Sequence, residues 1–173
     1  IIFYKKPSNV KDTAFLTFDY KNEVKDDDQW LYLPAMRKVR RISASDRGDY
    51  FLGTDFTYED IKKEGKIAIE DYTYVTTGEE VVDSINTYVV EATVSVNQTA
   101  KELGHSKIII WIDSEINLIR KSLYFDWKGN ELKTVTTSDV RIVDGIWTRH
   151  ILNAQNHKTG HQTIFTFSDV DYT

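Results

Sequence analysis

The chain has no cysteine among its 173 residues. That excludes a disulfide framework, a thiolate zinc site and a cysteine nucleophile, and it leaves the compartment open. Proline is scarce, with two residues, Ala and Leu do not dominate, and no linker, repeat or low-complexity segment occurs. No run of eighteen apolar residues occurs, so no transmembrane helix is encoded in these residues. A basic excess is missing too: 22 Lys and Arg against 27 Asp and Glu give a formal −5, which speaks against a phosphate-binding domain and any nucleic-acid partner. The catalytic motifs are absent as well: no G-x-S-x-G elbow, H-E-x-x-H, P-loop or G-x-G-x-x-G. Scattered Ser, His and Asp residues nominate no triad, and the chain reads as a non-enzyme without a cofactor.

What the chain has is aromatic residues and period two. Ten Tyr, eight Phe and four Trp favour strands over a helix bundle, and the length fits one domain, 1–173, with a core of its own. Alternation predicts strands near Thr13–Tyr20, Gln29–Leu33, Met36–Ile42, Tyr72–Thr76, Glu79–Val82 and Tyr88–Val96. From Lys107 onward it predicts a meander through Leu118–Trp127, Glu131–Ile142, Ile146–Asn156 and Gln162–Val170. Ile108 to Ile112 is apolar on both faces, the mark of a strand covered on both sides. Thr54 or Asp55 is placed to cap a short helix over Phe56–Lys63, the one helix of note, and Asn97–Ser106 reads as a loop or single turn. The expected object is mainly β: a single strongly curved antiparallel sheet with a short helical lid.

Gln29–Ile61 carries the most specific pattern. It holds Trp30-Leu31-Tyr32-Leu33-Pro34, then Lys38-Val39-Arg40-Arg41-Ile42, then Gly53-Thr54-Asp55-Phe56-Thr57-Tyr58-Glu59-Asp60. These three blocks, in this order and spacing, resemble the LolA-like family of outer-membrane lipoprotein-sorting proteins, and the likeness continues through Trp111-Ile112-Asp113, Tyr124–Lys133 and Thr159–Thr163. The resemblance implies a periplasmic half-barrel of the LolA/LolB type that shields a lipoprotein acyl chain or other lipid-like ligand. It also implies a secretory signal and further N-terminal strands and helix before Ile1-Ile2-Phe3-Tyr4, which reads as a strand already under way. An inner-membrane partner of the RND-transporter type would supply the energy for transfer, and the carrier would be a monomer. Two other readings stay open: a packed interaction module accessory to such a transporter, and a lipocalin-like small-molecule binder.

For a carrier, the inward positions that would border an apolar cavity are Leu16, Phe18, Trp30, Tyr32, Val90, Ala92, Val94, Ile110, Leu123 and Phe125. The competing reading is that they form an ordinary core. A basic stripe adjoins them. Arg40 and Arg41 point to opposite faces of one strand, so one is expected to be partly buried and to need a carboxylate. Asp55, Glu59 and Asp60 are the nearest candidates, as an ion pair pinning the short helix or as a headgroup site at the rim. His157 and His161 flank a turn without a third metal ligand, and Asp26-Asp27-Asp28 lacks the spacing of a calcium loop. No metal site is expected. Asn97-Gln98-Thr99 is a formal glycosylation sequon of no consequence in a bacterial protein.

Overall fold

The computed structural model describes residues 1–18, 20, 28–62, 67 and 69–172. The chain divides into two compact units, Ile1–Arg47 and Gly48–Thr173. The first is a four-stranded antiparallel sheet of β1 (Ile2–Phe3), β2 (Ala14–Phe18), β3 (Asp28–Leu33) and β4 (Lys38–Ile42), in sequence order. A 3₁₀ turn at Pro34–Met36 joins β3 to β4, with Arg37 left-handed at its end. Lys21 to Asp27, including the Asp26-Asp27 pair, lie outside the described residues.

The second unit opens with the short helix α1 (Tyr58–Lys62) and then builds a seven-stranded meander. Its strands are β5 (Tyr72–Val82), β6 (Ile85–Val94), β7 (Lys107–Asp113), β8 (Ile119–Phe125), β9 (Glu131–Val143), β10 (Ile146–Asn156) and β11 (Gln162–Thr166). Every pairing in it is antiparallel. Helix α2 (Asn97–Leu103) connects β6 to β7.

Period two located the strands well, with three revisions. The two predicted segments Tyr72–Thr76 and Glu79–Val82 are one strand, because a bulge between Thr76 and Gly78 absorbs the shift in alternation. The short helix expected after Thr54 is present as α1, with Lys63 outside the described residues, but it is not the one helix of note: α2 stands where Asn97–Ser106 was expected to be a loop or single turn. Gly104, at φ 74°, ends α2 by returning its N–H to the Ala100 carbonyl at 3.0 Å. Thirdly, the described strands form two sheets where one continuous sheet was expected, and no closed barrel is present among them.

Alternation fixes which residues share a face but not which face is buried. On β2 and β3 the buried positions are Phe15, Gln29 and Leu31, while Leu16, Phe18, Trp30 and Tyr32 stand exposed. In the larger sheet the buried face gathers Tyr72, Ala92, Ile108, Ile110 and Tyr124, joined by Leu103 of α2.

Candidate functional site

The site grows out of the Gly48–Lys62 segment and the sheet face it lies on. Phe51 to Thr54 form a tight turn, with the Thr54 N–H on the Phe51 carbonyl at 2.9 Å. Leu52 and Gly53 both take positive φ there, the second at a residue that adopts it without steric penalty. Thr57 rather than Thr54 or Asp55 then caps α1. The Thr57 hydroxyl accepts the Asp60 N–H at 3.1 Å, and Asp60 Oδ2 accepts the Thr57 N–H at 2.7 Å. This is a reciprocal capping box.

Two polar pins hold the segment to the sheet. Asp60 Oδ2 also accepts from Lys133 Nζ, a β9 lysine with only 2% of its side chain exposed. Its ammonium lies 4.7 Å from the centre of the Tyr124 ring and 3.4 Å from the Asp55 carbonyl oxygen. Asp55 makes the second pin: its Oδ2 accepts from Thr163 Oγ1 at 2.7 Å and lies 2.6 Å from His161 Nδ1. Its N–H donates back to the same threonine oxygen at 3.0 Å. Between the pins Phe56 stacks on Phe165 at 4.4 Å and packs into a cluster with Leu152 and Ala154. The Asn156 amide donates to the Tyr50 hydroxyl at 3.0 Å.

Charge at the site follows from burial and these partners. Burial raises the Asp60 carboxyl, but the Lys133 charge and hydrogen bond, with two bonds from Thr57, outweigh it and leave the pKa below 3.8. Tyr124 is pushed well above 10, first by burial and then by the Asp60 charge. Burial likewise raises Tyr72, whose hydroxyl meets His105 Nε2 at 2.7 Å. His105 Nδ1 lies 3.1 Å from the Leu103 carbonyl oxygen, so the tautomer with the proton on Nδ1 lets Nε2 accept from the tyrosine. A void of ≈ 20 Å³ remains beside Glu59, Asp60, Tyr72, His105 and Tyr124. That is room for about one water molecule. Among the described residues no group of three His, Cys, Asp or Glu is arranged to hold a metal ion.

The ten cavity candidates separate into three sets. Ala92 and Ile110 are buried, in one cluster with Leu103 of α2, and Val90 and Val94 are half-buried on the same face; pairing aligns Val90 with Ile110 and Ala92 with Ile108. Leu123 and Phe125 lie on the opposite face, since Ile110 pairs with Ser122 and Ile109 with Leu123. The β8 residues that join Ala92 and Ile110 are therefore Ser122 and Tyr124: a one-residue difference in register reverses the face. Leu16, Phe18, Trp30 and Tyr32 belong to the exposed face of the smaller sheet.

The expected arginine clamp is also corrected. Arg40 pairs with Asp46 at 2.8 Å, and Arg41 pairs with Asp28, both with side chains about 60% exposed. A strand that short and open hydrates both arginines, so neither requires a distant carboxylate. The acids of the conspicuous motif have other partners: Asp60 takes Lys133, Asp55 takes His161 and Thr163, and Glu59 lies 3.8 Å from Lys62. Lys133 is the buried cation of the site, and the basic stripe drew attention away from it. The signal for it is alternation: Lys133 shares a strand face with Val135 and Thr137, and a lone lysine on a buried strand face demands a carboxylate.

A family model described as "Uncharacterized protein" matches residues 1–173. A domain from Vibrio parahaemolyticus assigned to outer membrane lipoprotein sorting is 32% identical over 96% of this chain and 68% of its own, with a TM-score of 0.83. A DUF1329 family protein from Desulfovibrio piger is 32% identical over the same shares, at a TM-score of 0.85. A LolA superfamily protein from Nitrosomonas europaea, 19% identical over 96% of this chain and 69% of its own, shares the fold at 0.66. The chain belongs to the LolA-like family. No curated protein matches it. In this LolA-like chain the Gly53–Asp60 block is a clamp: Asp55 and Asp60 reach the Thr159–Thr163 and Tyr124–Lys133 blocks, which lie far away in sequence. No helix among the described residues is long and apolar enough to cross a membrane.

Proposed function

We propose that the protein is a periplasmic, non-enzymatic carrier that holds a lipoprotein acyl chain, or a similar lipid-like ligand, on the buried face of the seven-stranded sheet. The observation that carries this reading is the way that face is closed. Val90, Ala92, Val94 and Ile110 form an apolar strip on which Leu103 of α2 packs, and a short segment, pinned by side-chain bonds rather than by strand pairing, covers the β9–β11 part of the same face through Phe56. A segment fixed through Asp55, Phe56 and Asp60 can lift as a unit and open the part of the face that adjoins the strip to a ligand. Small Ala92 gives a chain room to lie flat, and each buried methylene contributes about 0.8 kcal/mol, so no specific polar contact is needed for tight binding. In this reading the sheet curves into a half-barrel, the two units belong to one LolA-like domain, the carrier is monomeric, and an inner-membrane RND-type partner supplies the energy.

One observation favours a second reading. The closed site leaves only ≈ 20 Å³, as a packed accessory module would. Ala92→Trp separates the two. In a carrier it blocks lipid retention, read by extraction and mass spectrometry of protein purified from its native host, and the fold persists because the cover yields. In a packed module it overpacks the core and lowers stability by roughly 1–3 kcal/mol. Destabilisation with no lipid bound before or after the substitution would end the carrier reading.

A further inference from the structure

The four-stranded sheet turns an aromatic face to solvent. Cross-strand pairing places Phe3, Ala14, Tyr32 and Val39 in one row and Leu16, Trp30 and Arg41 in the next, with Phe18 beyond them. Phe3 is 62% exposed, Val39 61% and Phe18 55%, and Trp30, Tyr32 and Leu16 are each more than a third exposed. Isolated apolar residues on a surface need no explanation, but a contiguous block of six marks a surface that meets something. Trp30 and Tyr32 stand on β3, which is paired on both sides, so their rings can contact hydrocarbon without orphaning the backbone beneath them.

Charge identifies the occupant. Residues 1–47 hold ten Lys and Arg against seven Asp and Glu, a formal +3, which leaves −8 for residues 48–173 of the total −5. The cations are also gathered. Antiparallel order brings the end of β1, the start of β2, the end of β3 and the start of β4 to one end of the sheet. Lys5, Lys6, Lys11, Arg37 and Lys38 all lie in or beside the turns there, and all are exposed. Asp12 is the one acid among the residues of those turns. Arg41 stands on the aromatic face itself, 5.8 Å above the Trp30 ring. Two copies meeting through this face would bring like charges together. Amphipathic rings beside a cluster of lysines and arginines match the chemistry of an anionic bilayer surface.

We propose that the exposed face of β1–β4 docks the protein on an anionic phospholipid surface, with Trp30, Tyr32, Phe18 and Phe3 in the interfacial layer and the Lys5–Lys6–Lys11–Arg37–Lys38 end over the headgroups. This stands apart from the acyl-chain reading, since no lipid need enter the protein.

The test is co-sedimentation with vesicles of phosphatidylcholine alone and of phosphatidylcholine containing phosphatidylglycerol, at low and high salt. The full chain should pellet with the anionic vesicles and be released by salt. Brominated lipid should quench the wild-type fluorescence more than that of Trp30→Phe. Trp30→Ser with Phe18→Ser should abolish pelleting while the circular dichroism spectrum and a cooperative melt persist, because neither side chain belongs to the buried core. Arg37→Glu with Lys38→Glu should weaken binding about tenfold or more. Absence of pelleting with either vesicle by the folded protein would overturn the proposal. So would a dimer in sedimentation equilibrium that Trp30→Ser disperses, which would show a second copy on this face. Vesicle binding untouched by the Trp30→Ser, Phe18→Ser pair would also overturn it by placing the contact elsewhere.

Discussion

The two sheets handle charge and apolar surface in opposite ways. In β1–β4 the arginines reach into water beside Asp46 and Asp28, and the aromatic face is open. In β5–β11 the apolar face is covered, and the charge that crosses it, Lys133, is sealed against Asp60 and the Tyr124 ring. The number of cations in a segment therefore says little about where a strong ion pair sits. Arg40 and Arg41 of the basic stripe make only exposed pairs, while one lysine in the middle of β9 anchors a whole segment. Burial, not density, sets the consequence of removing a charge: an exposed pair is worth about 0–1 kcal/mol, whereas breaking a buried one costs about 3–5 kcal/mol.

The largest effect expected from this contrast is at Lys133. Lys133→Ala leaves Asp60 without its cation in a buried site and should destabilise the protein by about 3–5 kcal/mol in denaturant unfolding. Lys133→Met with Asp60→Leu should recover much of the loss, because an apolar pair of similar volume removes the desolvation penalty of both ions. A Lys133→Ala loss below about 1 kcal/mol would make the two sheets alike and dissolve the comparison.

Gly48 gives the next effect, and it tests packing rather than charge. A Cβ at this position would lie 2.4 Å from the Glu102 carbonyl oxygen and 2.7 Å from that of Leu103. Those are backbone atoms at the end of α2 and have little freedom to retreat. Gly48→Ala should cost roughly 1–3 kcal/mol, whereas Gly78→Ala, with nothing within 4 Å of the added carbon, should fold normally.

These positions also show what the sequence could reveal. Strand locations followed from alternation, which is a local property, and the Gly53–Asp60 block stood out by its resemblance, although its cap was expected at Thr54 or Asp55 and lies at Thr57. The face of β8 depended on which β7 residue met Ser122, a matter of register that no single strand encodes, so Leu123 and Phe125 were expected on the wrong side. The partners of Asp55 and Asp60 lie more than seventy residues away. Proximity in sequence suggested Arg40 and Arg41; proximity in space chose His161 and Lys133. Likewise Leu16 and Trp30 share a face as alternation predicts, but whether that face is bare or covered depends on the rest of the chain.

Acidity offers a third measurement. Asp60 has its pKa lowered in the folded state, so its contribution is present above the unfolded value near 3.8 and disappears as pH falls through the lower folded one. The stability gap between wild type and Lys133→Met, read by denaturant melts, should therefore be full at neutral pH and narrow below pH 3.8. A gap that stays constant through this range would mean that Lys133 acts by packing alone.

The smallest effects belong to the smaller sheet, and their smallness is the point. Arg40→Ala and Arg41→Ala each remove a side chain about 60% exposed from a single aspartate. Each should change stability by less than about 1 kcal/mol, and less again at 1 M salt, where the screening length falls to about 3 Å. Arg41→Ala should exceed Arg40→Ala by a few tenths, since Arg41 alone also lies over the Trp30 ring, where an exposed cation–π contact is worth about 0.5–1 kcal/mol. Arg41→Lys would keep the charge but lose the planar stack and the fork that places Nε 2.8 Å from Asp28 Oδ1. If Arg41→Lys matched Arg41→Ala, stacking and geometry would account for the difference. If it matched wild type, charge alone would, and Trp30 would be free to turn wholly toward another surface.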